Sequence, residues 1–218
     1  MVAQITEGTA FDKHGRPFRR RSYLPGILLL VALSVVTLTI WAIALNQPVD
    51  VQETAACNPP PAPADPNTPP VSLGQQVTRS QMIDVTPAKL ADTTIRVLNA
   101  SGQGGQAAEV AGELRDLGFA EPSAANDAVY ATARLSCQGQ IRFGPSGRAA
   151  AAAVWLVAPC TELFEDDRTD DTVDLAIGTD FSELSRSDDI EAVLASLRPD
   201  ATQMADPALI SKIHSTTC

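Results

Sequence analysis

The sequence predicts a small two-layer α/β sandwich carried on a single N-terminal transmembrane helix. Three observations lead there. A run of 22 uncharged, mostly apolar residues, 24–45, lies near the N-terminus. A proline-rich stretch follows, with eight of the sixteen prolines between Pro48 and Pro70. Beyond it, two β-to-α patterns occur, VLNASGQGGQAAEVAG from Val97 and RFGPSGRAAAAAVWLV from Arg142. Each has a strand, a Gly-Ser turn and an Ala-rich helix, although the match is too short to define a repeat.

Residues 1–23 form a basic tail, with five basic and two acidic residues ending in Arg19-Arg20-Arg21. The apolar run 24–45 would rise about 33 Å as a helix, enough for a hydrocarbon core of about 30 Å. Tyr23 and Trp41 stand near its ends, where interfacial aromatics settle. No Lys or Arg follows until Arg79, so positive charge places the N-terminus in the cytoplasm and the rest outside. The run is longer than the roughly 7–15 residues of a signal-peptide core, and ALNQP is a poor cleavage site. An uncleaved anchor in the cell membrane is therefore expected.

Residues 46–92 read as a proline-rich arm that spaces the next segment from the bilayer. A proline-recognising partner would be another use for it. The folded domain is expected over residues 93–198. Thr94–Asn99 alternates and is β-branched, the pattern of a strand. Ala100–Gly105 is a turn. Ala107, Val110, Ala111, Leu114 and Leu117 recur at helical spacing over 106–117, and Gly118 stops that helix. Pro122–Asp127 reads as loop. A strand over 140–144, a helix over 147–158 stopped by Pro159, and a strand over 161–165 come next. An acidic turn (166–171), a strand over 173–177 and a short helix over about 188–197 complete the domain. Residues 199–218 form a tail ending in Cys218.

Composition excludes some functions. The net charge is −10, with 16 basic against 26 acidic residues, so a nucleic-acid binder is not expected. All four cysteines, Cys57, Cys137, Cys160 and Cys218, follow the span, where an even count suggests disulfides. Three pairings are possible. The position of Cys137 and Cys160 inside the expected domain favours 137–160, leaving 57–218. Four free thiols and a zinc site are the weaker alternatives, since no Cys-x-x-Cys exists and the only His after the span is His214.

The sequence supplies few groups for chemistry. Gly102-x-Gly104-x-x-Ala107 after a strand fits a relaxed dinucleotide fingerprint, but no acid follows at a second strand end. The plain reading is a tight turn. A further reading has the turn with Gly102, Gly104 and Gly105 present backbone N–H groups to an anionic polymer group, helped by Asn99 and Ser101. A Ser-His-Asp site needs a His, which the domain body lacks, so Ser146 has no base. The carboxylates Glu162, Glu165, Asp166, Asp167, Asp170, Asp171 and Asp174 read as a solvated acidic turn; a calcium loop would need a central Gly. Trp155, between Val154 and Leu156, reads as core. No cofactor or metal is expected.

The run Val97–Ala107 (VLNASGQGGQA), then LRDLGF (114–119), FGPSG (143–147) and VDLAIGTDF (173–181), resembles the C-terminal domain of LytR-type envelope proteins, the LytR_C family. Ala100 stands where that family often has Gly. The resemblance implies the sandwich fold and a role in cell-envelope or cell-wall integrity. In the larger family this domain often follows a LytR-CpsA-Psr catalytic domain, for which there is no room here. An accessory, non-catalytic single-pass protein is thus implied. Its expected partners are membrane-anchored envelope proteins of the LytR-CpsA-Psr type or others with a LytR_C domain. The alternative is a module binding peptidoglycan or its glycan, for which Arg96, Arg142 and Arg148 are the candidate contacts.

Overall fold

The computed structural model describes residues 23–46, 56–63, 65, 67 and 69–215. The chain divides into two units, residues 1–50 and 51–218. In the first, helix α1 (Leu24–Asn46) has a mean hydropathy of 2.3 over Leu24–Trp41, and none of that stretch is buried. It is long and apolar enough to cross a membrane. Its hydroxyls are satisfied within the helix: Ser34, Thr37 and Thr39 donate to the carbonyls of Leu30, Leu33 and Val35. That suits a medium with no water to bond them.

The second unit is the sandwich. Its elements in order are β1 (Gln75–Val77), α2 (Arg79–Met82), β2 (Ile95–Asn99), α3 (Gln106–Leu117), β3 (Ser123–Asn126), β4 (Gly139–Phe143), α4 (Arg148–Val157), β5 (Glu162–Glu165), β6 (Val173–Ile177), α5 (Asp188–Ser196) and α6 (Pro207–Ser215). One sheet has the order β1-β5-β4-β6-β2-β3. β2, β3 and β6 are parallel; β4 and β5 are parallel to each other and meet β6 antiparallel; β1 runs antiparallel to β5. The two β-to-α patterns are thus two βαβ units, β2-α3-β3 and β4-α4-β5, pointing oppositely on either side of β6.

Alternation sorts the strands into faces. Ile95, Val97, Ile141, Phe143, Leu163, Val173, Leu175 and Ile177 face the helices and form the main core with Ala107, Val110, Leu114 and residues 150–157 of α4. The small Ala residues of α4 let it pack close, and Trp155 is 1% exposed within it. A second small cluster of Ala100, Tyr130, Leu135, Cys137 and Ala176, with Leu98 and Cys57 against it, lies on the opposite face. Among the described residues no helix of this unit covers that face; the β3–β4 connection does, with Cys57 and Asn58 of the arm. The helix α3 ends as its sequence requires. Gly118 has φ +105°, a left-handed conformation open to glycine, and Phe119 N–H closes the turn on Leu114 O.

The fold extends beyond residues 93–198 at both ends. β1 and α2 come from the expected arm, and α6 from the expected tail, burying Ile210 and Ile213. Inside the domain, the expected loop at 122–127 contains β3. The disulfide is a correction as well. Cys57 pairs with Cys137, not with Cys218, and Cys137 therefore does not pair with Cys160. Their shared position inside the expected domain favoured 137–160, whereas the fold decides by where the β3–β4 connection crosses the sheet. That crossing lays Cys137 beside Gly139 at the start of β4, where the arm enters: Cys57 N–H donates to Glu162 Oε1, and Asn58 bonds Arg134, Tyr130 and Ser136. Cys160 is disulfide-bonded too; Cys218 lies outside the described residues.

Candidate functional site

The turn that joins β2 to α3 is tied to itself. Asn99 Oδ1 accepts from Ser101 Oγ and from Gly102 N–H, and Asn99 Nδ2 donates to Gln103 O. Ser101, 1% exposed, has its Oγ 2.6 Å from Gln106 Oε1 as well, so its one hydroxyl proton is shared between Asn99 and Gln106, and the same oxygen accepts from Gln103 N–H. The side chains expected to help a ligand are therefore spent on the turn. Gly102 and Gly105 have φ +77° and +87°, so the turn needs them as glycines. Beside it lies a cavity of about 460 Å³, lined by Asn99, Gly102, Gly104, Asn126, Tyr130 and Arg134 among others. The strand next to it, β3, is followed directly by Asp127, which lines the cavity, but that carboxylate is taken by Arg142 and by the backbone N–H groups of Val129 and Tyr130, so it is not available to a ribose.

Each candidate polymer contact is held by a carboxylate. Arg96 Nε lies 2.6 Å from Asp174 Oδ1, Arg148 Nη1 2.7 Å from Glu165 Oε2, and Arg142 Nη1 2.8 Å from Asp127 Oδ2. Arg142 is 4% exposed and Asp127 1%. Gln140 Oε1 takes two further guanidinium bonds, and the ring of Tyr130 lies 5.7 Å from the same cation. Arg142 is thus a structural cation, which corrects its expected exposure: its place on the helix-free face put it under the β3–β4 connection. Of the six aromatic residues of the second unit five are buried and Phe164 is half-buried, so none of them is a fully exposed stacking platform for a sugar.

The acidic turn is also more organised than expected. Arg168 pairs with Asp166 at 2.6 Å and with Asp174 at 2.8 Å. Burial alone would raise the Asp166 pKa, but the Arg168 hydrogen bonds overcome it and hold the carboxyl below the usual range. Burial opposes the charge on Arg168 likewise, and its two aspartate partners push its pKa up. Among the described residues no group of three or more His, Cys, Asp or Glu could hold a metal ion.

Sequence reasoning missed His214. It is 4% exposed, and its ring stacks on Trp155 with centroids 3.5 Å apart. Arg79 donates to its carbonyl and lies 5.8 Å from the Trp155 ring. Trp155 Nε1 and His214 Nδ1 find no hydrogen-bond partner among the described residues. Burial first, and the Arg79 charge second, lower the imidazole pKa to about 3. A base must take protons near neutral pH; this one is sealed in core. Asp127 and Asn58 were missed as well, because partners 15 and 72–78 residues away leave no local pattern.

Comparisons agree with this geometry. The profile of the LytR_C family, described as LytR cell envelope-related transcriptional attenuator, matches residues 92–181. The cell envelope integrity protein Cei of Mycobacterium tuberculosis is 64% identical over 218 residues, covering all of both chains. The crystal structure of the soluble domain of a conserved hypothetical secreted protein from Mycobacterium marinum is 67% identical, with a TM-score of 0.67. It covers 68% of this chain, and all of that one is matched.

Proposed function

Since the chain belongs to the family of the cell envelope integrity protein Cei, built on a LytR_C domain, its role is in the envelope, and we propose that it acts there as a non-catalytic protein-binding adaptor. In this reading α1 anchors it in the cell membrane with the N-terminus inside, and the sandwich outside recruits other membrane-anchored envelope proteins. One observation carries the preference for protein over polymer. The arginines that would grip a wall polymer are paired with carboxylates, and no described aromatic of the sandwich is exposed for a sugar. Sugar and anion recognition need the reverse. The secreted homologue from M. marinum supports an extracytoplasmic sandwich.

The test is a crosslinked pull-down of the tagged full-length protein from membranes. Envelope proteins should be enriched, and lost on deleting residues 93–181. Recovery of wall glycan without protein would reject the reading. Glycan binding retains one point in its favour: Arg134 is exposed beside the cavity at the β2–α3 turn, with no ion pair among the described residues. Arg134→Ala should leave the pull-down unchanged if the adaptor reading holds.

A further inference from the structure

β3 is an end of the sheet. It pairs with β2 alone, and all four of its residues are exposed. Protein edges are normally blunted by Lys, Pro, a bulge or a covering loop, because an open row of amides templates another strand. Within its four residues β3 has none of these, and the one Pro at this edge, Pro122, stands just before the strand. Its sequence is Ser-Ala-Ala-Asn, its register with β2 is unbroken over four pairs, and no described backbone group bonds to its outer side. Asp127 N–H donates inward to Asn99 O. By the two-residue alternation, Ser123 and Ala125 also turn their amides toward β2, and Ala124 and Asn126 present theirs outward.

We infer that this edge is closed by β3 of a second copy of the chain, antiparallel, about a two-fold axis through Ala125. The inference rests on the protein-binding reading above and names the partner. Three observations favour a second copy. The outward amides sit symmetrically about Ala125, so Ala124 of each copy meets Asn126 of the other and four backbone hydrogen bonds form. In that register Ser123 faces Asp127, and no two like charges face each other along the strand, although the chain carries a net charge of −10. The flanking helix agrees. Arg115 in the last turn of α3 reaches Pro122 O, so this side of the helix overhangs β3. Ala108 and Gly112 share its stripe, and a side chain at Gly112 would meet open space. The two-fold axis reverses α3, setting Arg115 in the last turn of one copy toward the first turn of the other, which carries Glu109. Such an interface is isologous and closed, leaving no β3 edge free.

The test uses the full-length protein in native membranes carrying Ala125→Cys. Opposite residues of a pair that is not hydrogen-bonded lie about 4.5 Å apart between Cα atoms, within disulfide reach. Mild oxidation should convert most of the protein to a disulfide-linked dimer. Ser123→Cys, whose two copies would be four residues out of step, should give at least tenfold less. Ala124→Pro removes one outward N–H and leaves the bonds to β2. Added to Ala125→Cys it should abolish the dimer with the emission of Trp155 in the sandwich unchanged. Equal yields at 123 and 125 would overturn the register. Crosslinking of Ala125→Cys to other proteins, with no homodimer, would overturn the second copy and leave the adaptor reading standing. No protein crosslink of any kind, with partners still captured in the pull-down, would overturn β3 as the docking edge.

Discussion

Arg142 and Asp127 form a buried ion pair whose members cannot be removed singly without leaving a charge in a low-dielectric site. Arg142→Met is expected to cost about 3–5 kcal/mol in urea unfolding. The double variant Arg142→Met/Asp127→Leu should recover much of that, because the stranded charge is gone. Arg148→Met, whose pair with Glu165 is partly exposed, should cost no more than about 1 kcal/mol. His214 gives a pH prediction. Its folded pKa of about 3 lies below the ordinary 6.5, so the unfolded chain binds the proton first as pH falls. The stability it contributes is complete above pH 6.5 and drains away on acidification toward 3, at about 1.4 kcal/mol per unit. Unfolding at pH 5 should thus be easier by about 2 kcal/mol from this group alone. His214→Phe keeps a ring on Trp155 and removes the titration. Its stability, followed by Trp155 emission in the soluble unit, should lose that share of its pH dependence; an unchanged slope would place the acid sensitivity elsewhere.

At the level of elements, the Cys57–Cys137 disulfide and the Asn58 hydrogen bonds make the first part of the arm a component of the domain. The bridge closes a loop of 80 residues, worth about 4.5 kcal/mol in the chain-entropy account. Cys57→Ser/Cys137→Ser should lower stability by an amount of that order. It should also open the Pro-rich segment after Asn58 to proteolysis, and peptide mapping of the wild type without reduction should recover Cys57 joined to Cys137. The elements differ in how well the sequence announces them. α3 was legible because its apolar spacing, its Gly118 stop and its burial all agree. β2, β4 and β6 were legible from β-branched or apolar alternation over five residues. β3 was not, since Ser-Ala-Ala-Asn has no β-branched residue and its strand state comes from pairing with β2. β1 has three residues and exists by pairing with β5. α6 was hidden because its helical stripe, Ile210 and Ile213, spans little more than one turn. The turn at Asn99–Gly105 was legible as a turn, while the internal use of Asn99 and Ser101 depends on χ angles that no sequence pattern encodes.

For the whole molecule, the family profile ends at residue 181, yet the folding unit is larger than the family motif. The sheet needs β1 to cover the outer side of β5, where Val77 stands opposite Leu163 and Gly74 passes so close to Glu165 that a Cβ there would meet its carbonyl oxygen at 2.1 Å. The helix layer needs α2 and α6, which bring Met82, Ile210 and Ile213 onto α4 and α5. α5 and α6 are joined by Lys212 and Asp189 at 2.7 Å. Each buried apolar side chain contributes about 1.5–3 kcal/mol, so Val77, Met82, Ile210 and Ile213 together supply roughly 6–12 kcal/mol. The usual margin of a domain is only about 5–15 kcal/mol. A fragment of residues 93–198 should therefore fail to fold, or melt without a cooperative transition, with Trp155 emitting as a solvated indole. Residues 51–218 should unfold in one step with Trp155 blue-shifted. Adding back only 199–218 to the short fragment should restore the Trp155 environment in part, because His214 stacks on that ring, while the edge at β5 stays open. Cooperative folding of 93–198 alone would show that β1 and α6 are appended to a core already sufficient.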